Sequence, residues 1–377
     1  MRMLRSVLAV VLFSLVGPAT AGETIKVGAL LSVSGPASFL GTPEARTLEM
    51  LVEKANAAGG INGIKIELLI KDTGGSPEKA VSLAKQLIEE NQVFAIIGPS
   101  TSGESMQVKK LAEESGTLLL SCAAAEVIVQ PVGKWVFKSP QSDSHAVIRI
   151  FERIKQLHLT KIGVLTSNTG FGQAGKAQLE KLAPAYGLTV VASEVYDKAA
   201  TDLTAEVTKM KASGAQALVN WSIEPAQSIV LKNARQIGLT VPLFQSHGFG
   251  NVGYVKAAGA AAEGVIFPAG RLLVAESLPD SNPQKKLLVE YKRGYEARYK
   301  EDVSTFGGHA YDAFLMLQAG LKGGGTNRQK ARDAIEAIHG MAGTAGVFNM
   351  SATDHCGLTP DAFEMLVVKD GRFQVLK

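Results

Sequence analysis

Short apolar runs alternate with longer stretches of helical periodicity along most of the chain. IKVGALL (Ile25–Leu31) reads as a buried strand. After it, Leu48, Leu51, Val52 and Ala55 share one helical face, in a stretch that Pro43 opens and Gly59–Gly60 closes. The spacing then predicts strand 64–70, helix 77–90, strand 93–97, helix 104–114 and strand 117–121. The same pattern restarts after Gln141, with helix 146–157, strand 161–166, helix 171–186, strand 189–195, helix 203–212, strand 217–220, helix 226–237 and strand 241–244. Helices at 283–300, 305–321 and 328–339 follow. Segments 362–368 and 372–376 read as a closing hairpin across Lys369–Asp370–Gly371. Strand–helix alternation implies parallel sheets with helices on both faces. Two such units imply a cleft between them, with ligands at the carboxyl ends of the strands.

The chain has 377 residues, which favours two domains over one core. Its 46% hydrophobic and 20% charged residues are those of an ordinary globular protein. The N-terminus differs. Arg2 and Arg5 precede the apolar run Val7–Val16, then a Gly17–Pro18 break and Ala19–Thr20–Ala21. That is the pattern of a cleavable secretory signal over 1–21, with an uncleaved anchor as the alternative. Two arginines and no acidic residue leave with it, which lowers the formal net charge from +4 to +2. Near-neutral charge gives no footprint for nucleic acid or an anionic membrane. Cys122 and Cys356 could pair, but two buried thiols are the preferred reading.

The segment IIGPSTSGES (Ile96–Ser105) poses the central question of chemistry. A nucleophile elbow needs G-x-S-x-G; from Gly98 a serine falls at Ser100, but Ser102 stands where glycine is required. The six histidines show no metal-ligand spacing, there is no C-x-x-C, and the phosphate-loop pattern does not occur. Two readings of the segment remain. Ser102 simply caps the following helix, or glycine, hydroxyls and free N–H groups form a cradle for an anion. Cys122–Ala123–Ala124–Ala125 ends a neighbouring strand, and small residues there leave backbone amides open to a ligand.

The order of segments resembles the type I periplasmic solute-binding proteins of ABC importers, in the branched-chain amino acid class. The resemblance runs through VGALLSVSGPASFLG, NAAGGINGIKIELLIKD, AIIGPSTSGES, SGTLLLSCAAAE, LTSNTGFGQAG, QSHGFGN, AAEGVIFP and HAYDA, and covers nearly the whole chain after residue 21. It implies an α/β fold of two doubly wound parallel-sheet lobes joined by three hinge crossings. One lobe would comprise 22–141 and 272–349, the other 142–271 and 350–377. It implies a monomeric, periplasmic, non-enzymatic receptor without cofactor or metal, which hands a small carboxylate to permease subunits in the inner membrane.

Carried over by position, Ser102 matches the hydroxyl that holds the ligand carboxylate. Phe39 or Leu40 stands where the family places an aromatic over the ligand. Ala123, Ala124 and Ala125 fall at backbone contacts, and Phe171 matches an aromatic of the second lobe. Ile223 and His247 stand where amino acid binders carry a tyrosine and an acidic residue. A buried ammonium needs acceptors that these two do not supply. Glu224 could substitute, but is read as a solvated surface residue. The ligand is therefore expected to lack an α-ammonium. KWVFKSPQSDS, YDKAATDLTAEV and QSHGFGNVGYVKAAG also resemble members that bind benzoate-like and cinnamate-like acids. Phe249 and Arg271 complete the candidate contacts, with core packing and a hinge as their alternatives. Trp221 and His309 are read as structural. A branched-chain amino acid or amide remains the alternative ligand, and a sensor for a signalling receptor the alternative role.

Overall fold

Parallel strands need crossovers long enough to return the chain to the same edge, and helices supply them here. In the computed structural model, which describes residues 23–377, the first such unit contains β1 (Thr24–Leu31), α1 (Ser38–Ala57), β2 (Lys65–Asp72), α2 (Pro77–Lys85), β3 (Ala95–Ile97), α3 (Ser102–Ser115), β4 (Leu118–Ser121) and β5 (Val136–Lys138). Its sheet is parallel throughout, in the order β2-β1-β3-β4-β5. The expected signal at 1–21 lies outside the described residues.

The second unit runs α4 (Asp143–Gln156), β6 (Lys161–Ser167), α5 (Gly170–Leu182), β7 (Thr189–Tyr196), α6 (Thr204–Ala212), β8 (Ala217–Trp221), α7 (Ala226–Gln236), β9 (Leu243–Gln245), α8 (Val252–Ala258) and β10 (Ile266–Ala269). The chain then forms α9 (Lys285–Tyr299), α10 (Thr305–Gly324), α11 (Arg328–Glu336) and a small ribbon of β11 (Met341–Ala342) and β12 (Val347–Phe348). It closes with the hairpin β13 (Glu364–Lys369) and β14 (Arg372–Val375). The second sheet has the order β14-β13-β10-β9-β8-β6-β7 and is parallel except for the hairpin. Both sheets reverse direction of growth beside their first strand, at β1/β3 and at β6/β8. Those are the topological switch points where open sheets leave a crevice.

Each sheet has its own core. Val27, Leu30, Ile96 and Leu119 bury against Ala310 and Leu317 of α10, which returns to the first lobe after β10. Val164, Leu218 and Phe244 bury with Phe151 and Val230 in the second. The connections after β5, after β10 and after β12 are the three crossings. Met350, Cys356, Leu358 and Ala362 still belong to the first core, and Phe363 belongs to the second. The third change of core therefore lies between Ala362 and Phe363, beyond the expected residue 349. Cys122 and Cys356 are both free and buried. No described helix is long and apolar enough to cross a membrane.

The helix expected to open at Pro43 begins instead at Ser38, with Pro43 inside it. Proline lacks the N–H that would bond the carbonyl four residues back, so the Phe39 carbonyl is released. Asn251, from the second lobe, donates its Nδ2 to that oxygen at 3.1 Å. The helix break thus becomes a contact between lobes, beside the Phe39–Tyr254 ring stack at 4.8 Å.

The lobes also meet at the starts of α3 and α5. A Cβ built on Gly170 would lie 2.7 Å from Gly103 Cα and 2.8 Å from Met106 Cε. Only glycine permits this approach. Gly170→Ala should hold the lobes apart while leaving each core intact. Ligand affinity measured by calorimetry should fall about tenfold, in line with overpacking costs of about 1–3 kcal/mol, and X-ray scattering should show a wider ligand-saturated particle. An unchanged affinity and radius would show that this approach is dispensable.

Candidate ligand-binding site

The loop after β3 decides the local geometry. Thr101, not Ser102, is the N-cap of α3: its Oγ1 accepts from the Glu104 N–H, and the Glu104 carboxylate accepts from the Thr101 N–H and hydroxyl. This reciprocal capping box satisfies the helix start by itself. Ser102 therefore occupies the first helical position with its hydroxyl uncommitted to capping, contrary to the simple capping reading. Its Oγ accepts from the Ala125 N–H at 3.2 Å, and its own proton has no acceptor among the described residues.

A small chamber of about 20 Å³ lies between the lobes at this point. From the first lobe it is lined by Leu40, Ser100, Ser102, Cys122, Ala123, Ala124, Phe306 and His309; from the second, by Phe171, Ile223, His247 and Gly248. Outside it, a vestibule of about 340 Å³ opens to solvent, bounded by Pro36, Gly74, Thr101, Gly103, Asn168, Gly170, Lys198 and Glu224, among others. Phe171 and Ile223 border both spaces. The two switch points face each other across this cleft.

Of the residues singled out in the sequence, Leu40, Ser102, Ala123, Ala124, Phe171, Ile223 and His247 come together around the chamber. Four do not. Phe39 stacks on Tyr254 and faces a groove on the far side. Ala125 is buried behind the wall, with its N–H spent on Ser102. Phe249 packs in the second core against Tyr254 and Phe267. Arg271 bonds Glu364 at 2.9 Å, Gln284 at 3.2 Å and the Asp361 carbonyl at 2.8 Å, which makes it a brace at a crossing. Glu224 is not solvated as expected. It is buried at the vestibule wall and accepts from the Ser222 hydroxyl at 2.6 Å and the Ile223 N–H at 3.2 Å.

Sequence reading missed Phe306 and Gly248, weighed Ser100 only as a nucleophile, and assigned His309 to structure. Phe306 and His309 are three apart on α10, hence on one face, and their rings meet edge-on at 5.9 Å. That spacing was visible in the sequence; its orientation toward another lobe was not.

His247 sits among Phe171, Trp221 and Phe363, with ring centroids at 5.3, 5.5 and 5.5 Å. Neither ring nitrogen has a partner among the described residues. Burial drives its pKa well below the ordinary histidine value, reinforced by His309, Lys138 and His145. Burial likewise lowers His309 to about 3, with Lys138 acting the same way. Both imidazoles are neutral at physiological pH; His247 offers one donor and one acceptor, whereas His309 is held by the Cys122 backbone and leaves only Nδ1 without a partner among the described residues. No carboxylate lines the chamber. Beneath it, Glu44 accepts from the Ser100 hydroxyl, while Ser100 Oγ accepts from the Ser32 N–H at 3.0 Å. Apolar walls, a free hydroxyl at a helix start and neutral imidazoles make a site for a small, partly apolar molecule with an acceptor group. Among the described residues no cluster of three or more His, Cys, Asp or Glu side chains could hold a metal ion.

The model of a family described as periplasmic binding protein matches residues 24–371. The chain belongs to that family. Its members are substrate-binding proteins of the periplasm that take up small molecules and work with ABC transporter permeases. The leucine-, isoleucine-, valine-, threonine- and alanine-binding protein of Pseudomonas aeruginosa is 25% identical over 84% of this chain and 83% of its own length. A branched-chain amino acid transporter substrate-binding protein from Streptococcus pneumoniae, solved with isoleucine, superposes with a TM-score of 0.82 at 25% identity, covering 94% of this chain and 98% of that one. An ABC transporter solute-binding protein from Rhodopseudomonas palustris, solved with 4-hydroxybenzoate, shares the fold with a TM-score of 0.81 at 20% identity, over 94% and 96% of the two chains.

Glu44 gives this periplasmic binding protein a measurable pH signature. Burial pushes its carboxyl up to about 8, although the Ser100 bond pulls the other way and Glu104 adds to the rise. Between the ordinary carboxylate range and about pH 8, the folded chain keeps a proton that the unfolded chain has released. Stability therefore falls as pH rises through that window and levels off above it. Glu44→Gln removes this contribution. Its melting temperature should gain on the parent's progressively from about pH 5 to about pH 8, and a constant offset across that range would contradict the assignment.

Proposed function

We propose that this protein is the periplasmic substrate-binding component of an ABC importer and that it holds a small aromatic or hydrophobic carboxylate between its lobes. One observation carries the reading: a free Ser102 hydroxyl and a helix start face a largely apolar chamber whose other polar side chains are the Ser100 hydroxyl, the Cys122 thiol and neutral imidazoles, with no carboxylate among its lining residues. The acid group belongs at Ser102 and the Ala124 N–H, since the Ala123 N–H is already donated to Ser121 Oγ at 3.1 Å. Leu40, Phe171, Ile223 and Phe306 take the apolar body. His247 pairs with a second polar group such as a phenolic hydroxyl. An ammonium at His247 would find one lone pair at most. The ligand leaves unaltered, and contacts made only when both lobes touch it bias closure.

Magnitudes agree with this reading. Burying roughly 150 Å² of apolar ligand surface contributes roughly 4 kcal/mol, and each charge-assisted hydrogen bond adds about 1.5–3 kcal/mol. After association costs of several kcal/mol, affinity near micromolar is expected.

Glu224 favours a second reading. A buried acidic group at the vestibule wall is placed to meet an ammonium on a ligand that reaches outward past Ile223, and the relatives named above include amino acid binders. A thermal-shift panel of benzoate, coumarate, aliphatic acids and L-leucine separates the two. Stabilisation by the aromatic acids and none by leucine is expected; the reverse pattern would replace the proposal with the amino acid reading. Ser102→Ala should weaken binding of the responding carboxylate about tenfold or more by calorimetry, whereas unchanged affinity would remove Ser102 from the site.

A further inference from the structure

Lys138, at the end of β5, is fully buried, and it forms no ion pair with a carboxylate among the described residues. Taking an ammonium out of water is costly unless other groups replace its hydration. Here carbonyls do so: Nζ donates to the Ala124 oxygen at 3.1 Å and to the Pro140 oxygen at 2.9 Å. The Ala124 oxygen also accepts from the Asp143 N–H at 3.3 Å.

The Ala124 carbonyl and the Ala125 N–H are two ends of one peptide unit. That N–H donates to Ser102 Oγ at 3.2 Å. A continuous chain therefore runs from the Lys138 ammonium, through the Ala124–Ala125 peptide, to the Ser102 hydroxyl and into the chamber. Each link accepts at one end and donates at the other, so each is polarised by the one before it. The direction is fixed, because the ammonium can only donate. With its oxygen already accepting, the Ser102 proton is left to point at whatever occupies the chamber.

We infer that Lys138 is a positioning and selectivity residue, which polarises and aims the Ser102 hydroxyl through the Ala124–Ala125 peptide so that the chamber prefers a carboxylate to a neutral group of the same shape. This rests on the reading of the chamber as a carboxylate site. The ammonium's charge reaches the chamber in other ways too: it disfavours the cationic forms of His145, His247 and His309. Of the nearby acids, Asp143 lies within reach of the ammonium's field without an ion pair: burial raises its carboxyl to about 6 while the Lys138 charge and the Glu126 and Ser144 N–H groups it accepts from pull the other way. Glu126 accepts from Ser144 and from Gln178 of the second lobe. The competing account is that Lys138 only braces the first crossing through Pro140.

Calorimetry with matched acid and amide probes decides between them: benzoate against benzamide, and L-leucine against L-leucinamide. Lys138→Met should weaken the acid of the pair that binds about tenfold and its amide less than about twofold, while Lys138→Arg should retain most of the acid preference. In a Ser102→Ala background, Lys138→Met should cost the acid no more than about threefold, since coupled groups are non-additive. Equal losses on acid and amide would leave only the brace, and an undiminished loss in the Ser102→Ala background would overturn the relay. If the wild type binds leucine and not benzoate, the aromatic-acid reading falls and Lys138 is judged on the leucine pair. If it binds neither acid, both inferences fall. Melting curves verify folding; if Lys138→Met does not fold, Lys138→Gln, which keeps a donor without the charge, is judged by the same ratios.

Discussion

Much of the cleft depends on which of two adjacent hydroxyl residues caps α3. Thr101 takes that role together with Glu104, and the helix start is satisfied without Ser102. One position later, Ser102 is carried to the inner face of the cleft with a donor to spare. Had Ser102 been the cap, its oxygen would face its own backbone and the chamber would lose its one uncommitted hydroxyl. The capping box is an interaction of ordinary size, worth about 1 kcal/mol in helix stability. Here it decides where a hydroxyl points.

Around that hydroxyl the two lobes contribute unequal parts. The first supplies donors: the Ser102 hydroxyl at the start of α3, the Ala124 N–H after β4 and the buried Lys138 behind them. The second supplies shape and neutrality, with Phe171 and Ile223 as walls and His247 held uncharged among aromatic rings. Neither half alone excludes water from the other. A polar group in a dry cavity interacts more strongly than at a surface, but only if the cavity closes. Closure in turn relies on small features at the rim, namely the Gly103–Gly170 approach and the Phe39 carbonyl that Pro43 leaves for Asn251.

Chains of similar overall fold have been solved with isoleucine and with 4-hydroxybenzoate. In this chain the loops after β8 and β9 bring Ile223 and His247 to the chamber wall.

Strand–helix alternation with buried apolar runs determined the two parallel sheets, because that periodicity has few other ways to bury itself. Small residues after β4 and the Gly98–Ser102 turn marked the first lobe's contribution, since turn and cap chemistry is local. What happens across the cleft was decided only in three dimensions. Phe39 and Leu40 are neighbours in sequence, yet one turns to the chamber and the other to Tyr254, because adjacent helical positions point about 100° apart. Lys138 carries no local signal of its role, and only folding brings its ammonium under the Ala124 carbonyl. Glu224 reads as a surface charge, yet its partners are its own neighbours Ser222 and Ile223. What removes both side chains from water is packing between segments far apart in the chain, and no local pattern records that.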